Sequence, residues 1–207
     1  MRARAHLHTH THIQVLGRVG LLFATTKPSV KDRMKRICDI TMAISNGHSI
    51  LGELDLSAAE RTEVKSRIDI EEWGSSFVKK QCVRAVLMRI NAVEMATESE
   101  TRLDGMGGTF HIEHILPDKP DPSSRWCSEW NEDDRTRWKH RLGNLCLLNG
   151  KTNVVLKNFG WSEKRSGYKK MPFPLTRKLT EFDKWTASEV KQQHKHLLQA
   201  VARVFGL

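Results

Sequence analysis

Apolar positions recur at three- and four-residue intervals over three stretches of the first half of the chain. Met34, Ile37 and Ile44, with Thr41 between them, predict a helix over 29–45 that Asn46-Gly47 stops. Ser57 and Glu60 make a capping-box pair, which opens a second helix reaching about Ile68. Val78, Cys82, Val86, Ile90 and Val93 share one face of a third, from about Ser75 to Met95. These three predict a helical packing unit with no chemistry of its own. The polar, glycine-rich 97-TESETRLDGMGG-108 reads as a linker.

Beyond it the period changes. Short apolar stretches at 109–116 and 145–148 have the length of strands. A Pro/Asp/Ser loop at 117–125 and a Trp-rich charged segment at 126–141 lie between them. A short helix is expected over 151–158. A second capping box, Thr186 and Glu189, opens a final helix to about Phe205 whose apolar face is Val190, Leu197, Val201 and Val204. No internal repeat is present. The expected organisation is an atypical, disordered N-terminus (1–26), a helical region (27–96), the linker (97–108) and a C-terminal domain with its helix (109–207).

The first 26 residues stand apart because 6-HLHTHTH-12 alternates histidine without a carboxylate or cysteine to complete a metal set. The stretch 13-IQVLGRVGLLFA-24 is too short and glycine-broken for a membrane span, and no clear cleavage site follows it. A chain of 207 residues that is 39% hydrophobic and 28% charged can bury a core without staples. Cys38, Cys82, Cys127 and Cys146 are scattered, with no CxxC pair, which points to a reducing, cytoplasmic compartment and no membrane. Charge alters the picture more. Residues 135–207 hold 16 Lys+Arg against 4 Asp+Glu, whereas 1–134 hold 18 against 20. A polyanion, with nucleic acid the leading choice, is the partner such asymmetry suits.

Candidate chemistry gathers in 110-FHIEHILPDKP-120 and the residues after it. Glu113 and His114 end the first short strand, Asn144 enters the second, and Asn153 begins a helix. Phosphodiester hydrolysis at neutral pH needs an activated water, a charge-stabilising cation and positioning of both. Histidine suits the base. A carboxylate and an amide oxygen suit a hard cation that keeps most of its water. Neighbouring residues of a flat strand face opposite ways, so Glu113 and His114 serve one site only if the strand bends, as Pro117 suggests. Asn144 reads as a loop-fixing residue.

Taken together, 112-IEHILP-117, Trp138, 140-HRLGNLCLLNGKTN-153 and 158-NFGWSEKRSGY-168 resemble the HNH endonuclease domain of GmrSD-type, modification-dependent restriction proteins. The resemblance covers roughly residues 75–207. It implies an α+β, mostly helical fold around a small ββα-metal (HNH/His-Me finger) core. It implies DNA cleavage dependent on a single Mg²⁺ or Mn²⁺, with a role in restriction and phage defence. By position His114 is the general base, Glu113 and Asn153 hold the metal, and Asn144 takes the middle, catalytic-motif place. Lys164 stands where such domains keep a lysine that meets phosphate. Gln193 stands where the family pattern has an arginine. Proteins of this type usually carry an N-terminal NTPase or sensor domain, and no phosphate loop occurs here, so such a partner is expected on another segment or subunit.

Other residues carry alternatives. Arg141, Lys157 and Arg165, with Lys164, are expected phosphate contacts. His111 reads as structural, with a ligand role as the rival. His140 reads as orienting the site or holding its loop. A zinc set of Cys127, His140 and Cys146 lacks the close ligand pairs of structural zinc. The tryptophans read as core. Against the enzyme stand a dormant or non-catalytic DNA-binding module that needs its sensing domain, and a scaffold binding an acidic protein.

Overall fold

A computed structural model describes residues 2–49, 55–98 and 110–207. The fold is α+β and mostly helical, with a two-stranded sheet. It divides into two compact units, one of residues 1–70 with 201–207 and one of 71–200.

The first unit holds α1 (Arg2–Thr26), α2 (Val30–Ser45) and α3 (Ala58–Ile70). Residues 1–26, expected to be disordered, are helical from Arg2 onward. The reason is apolar spacing after the histidines: Val15, Val19 and Leu22 recur on one face and are buried, together with Leu21. Arg18 donates to both oxygens of Asp55, at 2.8 and 2.5 Å, and to the carbonyl of Phe205 at 2.7 Å. Arg61 adds a 2.7 Å bond to Asp55. Ser57 and Glu60 exchange the reciprocal bonds of a capping box. On α2 the predicted stripe faces solvent: Met34, Ile37 and Ile44 are exposed, and Ile40 is the buried residue.

The second unit begins before the third helix, α4 (Phe77–Glu98). The boundary falls after Ile70, and the linker expected over 97–108 lies outside the described residues except Thr97 and Glu98 at the end of α4. Val83, Val86, Leu87 and Ile90 of α4 are buried, and the helix packs on the sheet. Strands β1 (Phe110–His114) and β2 (Leu145–Asn149) pair antiparallel, with Phe110 opposite Asn149 and His114 opposite Leu145. Between them run α5 (Arg125–Glu129) and α6 (Glu132–Trp138), then a 3-10 turn over Leu142–Asn144. After β2 come α7 (Gly150–Leu156), α8 (Trp161–Tyr168), α9 (Pro174–Lys178) and α10 (Ala187–Phe205). Asn149 caps α7 by accepting from Thr152 N at 2.8 Å. At the start of α10 the Glu189 carboxylate accepts from Thr186 N at 2.8 Å, the glutamate half of the capping box that the spacing predicts. No described helix is long and apolar enough to cross a membrane.

Candidate active site

β2 is buried almost throughout, so its backbone is a fixed floor for β1. The turn entering β2 is held by Asn144, whose side chain is wholly buried. Its Oδ1 accepts from Leu116 N at 2.7 Å and from Trp185 Nε1 at 3.2 Å. Its Nδ2 donates to the carbonyls of Leu116 and Lys139, both at 2.9 Å. Asn144 thus clamps the chain leaving β1 to the chain entering β2. Gly143 N donates to Nδ1 of the buried His194 at 3.1 Å. A Cβ on Gly143 would lie 2.5 Å from His194 Cβ and 2.6 Å from Val190 O, so the glycine is a matter of close approach.

Register is regular through His114, so Glu113 and His114 point to opposite faces of β1. The bend expected ahead of Pro117 does not bring them together. Glu113 faces the core and accepts a 2.6 Å bond from Lys164 Nζ, which also donates to His114 O at 2.7 Å. Lys164 has no exposed surface to offer the expected phosphate contact: the lysine is the counter-ion of Glu113. Burial pushes the Glu113 carboxyl up and the Lys164 ammonium down, and each partner opposes the other's shift. The buried Tyr168 hydroxyl faces Glu113 and Cys146 without closing a hydrogen bond to either. Burial likewise pushes the Cys146 thiol up, so it is inert.

On the other face, His114 Nε2 lies 3.2 Å from His140 Nδ1. His140 Nε2 lies 3.3 Å from Asp118 Oδ1. Gly74 N donates to His140 O at 3.1 Å. Gly74 is packed so closely that a Cβ there would come within 2.3 Å of His114 Nε2. Burial pushes the His114 imidazole down to about 3, aided by the positive charge of Lys80. Burial also lowers His140, with Asp118 opposing. His114 is therefore neutral at neutral pH, the form a general base requires. Asp118 and Gly74 were not anticipated, because nothing in a single sequence says which loop residues return to a strand end.

Asn153 is half-buried on α7, a helix packed against both strands. Its side chain makes no hydrogen bond among the described residues. No pair among the side chains of Glu113, His114 and Asn153 is hydrogen-bonded among the described residues. Nor do the described residues contain three His, Cys, Asp or Glu grouped to hold a metal, which leaves the Cys127–His140–Cys146 zinc set without support. The oxygens of Glu113 and Asn153 suit Mg²⁺ or Mn²⁺ in kind, although Lys164 engages one of Glu113's.

His111 is exposed, opposite Leu148. Arg165 is engaged by Thr180 O at 2.8 Å and Asp183 at 3.1 Å, so this expected phosphate contact is tied to the protein. Arg141 Nε donates to Arg137 O at 3.3 Å, and Lys157 is exposed. The indole N–H groups of Trp126, Trp130 and Trp161 donate to backbone carbonyls, and Trp138 packs on His194.

Comparison with curated proteins finds no match to the chain. The family model described as GmrSD restriction endonucleases, C-terminal domain, matches residues 63–200, about two thirds of the chain. The match takes in α4, both strands, the Asn144 clamp, His114 and Lys164. The chain belongs to the family of GmrSD restriction endonuclease C-terminal domains.

Proposed function

We propose that this chain is an HNH endonuclease that hydrolyses DNA phosphodiester bonds in restriction or phage defence. The family match over residues 63–200 carries the reading. The order strand, strand, helix (β1, β2, α7) supports a ββα-metal core, with His114 at the end of its first strand. His114 takes a proton from the attacking water, and its neutral imidazole suits that task. Asn144 holds the strand-to-strand turn that presents His114. One Mg²⁺ or Mn²⁺ would stabilise negative charge on the phosphate and the leaving oxygen; Asn153 is its candidate ligand, whereas Glu113, turned away from His114 and paired with Lys164, does not fit a metal shared with that base. Lys157 and Arg141 would meet the DNA backbone.

The test is nicking of supercoiled plasmid with added Mg²⁺ or Mn²⁺. The wild-type protein should nick, and His114→Ala should not, while gel-shift binding persists. Undiminished cutting by that variant would refute the base assignment. One observation favours a second reading, a dormant DNA-binding module: Lys164 already engages Glu113. Metal-independent binding without nicking at any metal concentration supports it. A sensor domain or subunit that restores nicking would then be the missing partner.

A further inference from the structure

The arrangement around His114 contains more than a base. Its Nε2 is closed off twice, by His140 Nδ1 at 3.2 Å and by the backbone of Gly74, where even a methyl group would collide. A nitrogen so enclosed cannot meet a water and a phosphate together. His140 in turn has its other nitrogen on a carboxylate, at 3.3 Å from Asp118. Its main chain is tied by Gly74 N.

Resting on the nuclease reading, we propose that Asp118 and His140 form a positioning dyad that fixes His114 with its proton on Nε2, leaving Nδ1 as the nitrogen that takes the proton from water. The assignment follows from which atoms can donate. A carboxylate only accepts, so His140 Nε2 carries the proton facing Asp118. A neutral His140 then has a lone pair on Nδ1, and the contact to His114 closes only if His114 Nε2–H is the donor. One tautomer satisfies both contacts. The opposite tautomer sets two lone pairs against each other at 3.2 Å and leaves the working nitrogen already protonated. Asp118 thus acts on the reaction through two imidazoles. The same contacts fix the ring's orientation, the role a carboxylate plays behind a metal-bound histidine.

Long-range ¹H–¹⁵N correlation spectra of the full-length, metal-free protein report which nitrogen of each imidazole is protonated, with His114 assigned by its loss in His114→Asn. The wild type should show His114 protonated at Nε2. Asp118→Asn and His140→Ala should each give a mixture of tautomers, and Asp118→Glu should restore the single form. In plasmid nicking, Asp118→Asn should lower kcat by about tenfold or more, with KM for DNA nearly unchanged. Asp118→Glu should recover most of the loss. A wild-type His114 protonated at Nδ1, or one indifferent to Asp118→Asn, overturns the dyad even if the protein nicks DNA. The expected tautomers in a protein that nicks neither alone nor with an added sensor domain or subunit overturn the nuclease reading, and with it the catalytic use of the dyad.

Discussion

Glu113 and Lys164 show how far a residue's type is from its use. Both were legible as charged residues of a nuclease pattern, one for metal and one for phosphate, yet the fold buries them on each other. Removing one partner leaves a buried charge, and Lys164→Met is expected to lower stability by about 3–5 kcal/mol in urea unfolding. The double variant Glu113→Gln with Lys164→Met should recover most of that loss, because no isolated charge remains. If the double variant is as unstable as the single, the pair is not coupled as described. Asn144 is the opposite case, since its loop-fixing role was readable from the Gly-Asn-Leu box and its side chain makes four hydrogen bonds. Asn144→Ala strands several buried backbone partners, each worth about 1–3 kcal/mol. It should unfold at markedly lower urea concentration. Unaltered stability would mean water replaces those bonds.

At the scale of elements, capping boxes were the most reliable signals. Ser57–Glu60 and Thr186–Glu189 open α3 and α10 where their spacing placed them. Such signals work because a cap satisfies orphan N–H groups within one turn, without any tertiary partner. The stripe on α2 failed as a guide to burial, because periodicity marks a face but does not name what covers it. The turn before β2 depends on contacts that distant chain supplies. Gly143 is needed because α10 approaches through Val190 and His194. Gly143→Ala should lower the melting temperature through overpacking of about 1–3 kcal/mol, and a neutral result would show that α10 can shift.

For the whole molecule, charge and pH set behaviour that no single element holds. The excess of 16 basic over 4 acidic residues in 135–207 predicts DNA binding that weakens steeply with salt. Lys157→Glu should weaken binding on all sequences alike and lower the salt slope by about one, as read by fluorescence anisotropy. In the first unit, burial disfavours the Asp55 carboxylate, but bonds from Arg18 and Leu56 and the charge of Arg61 outweigh it and hold its pKa below the usual aspartate range. A depressed folded-state pKa stabilises above the unfolded value and is lost as pH falls through the folded one. Thermal unfolding should therefore show a loss of stability below about pH 4 that Asp55→Asn lacks. A parallel loss in both proteins would assign it to other carboxylates.

The chain's own sequence determined what neighbouring residues decide among themselves: helix starts, strand lengths, the C-terminal excess of positive charge, and motif boxes specific enough to indicate the family. Tertiary structure alone decided which charged groups stay in water and which neutralise each other. Lys164 and Glu113 are 51 positions apart, and His140, Asp118 and Gly74 reach His114 from separate loops. Desolvation and hydrogen-bond geometry depend on who arrives at a point in space. That is settled by packing of the core, not by spacing along the chain.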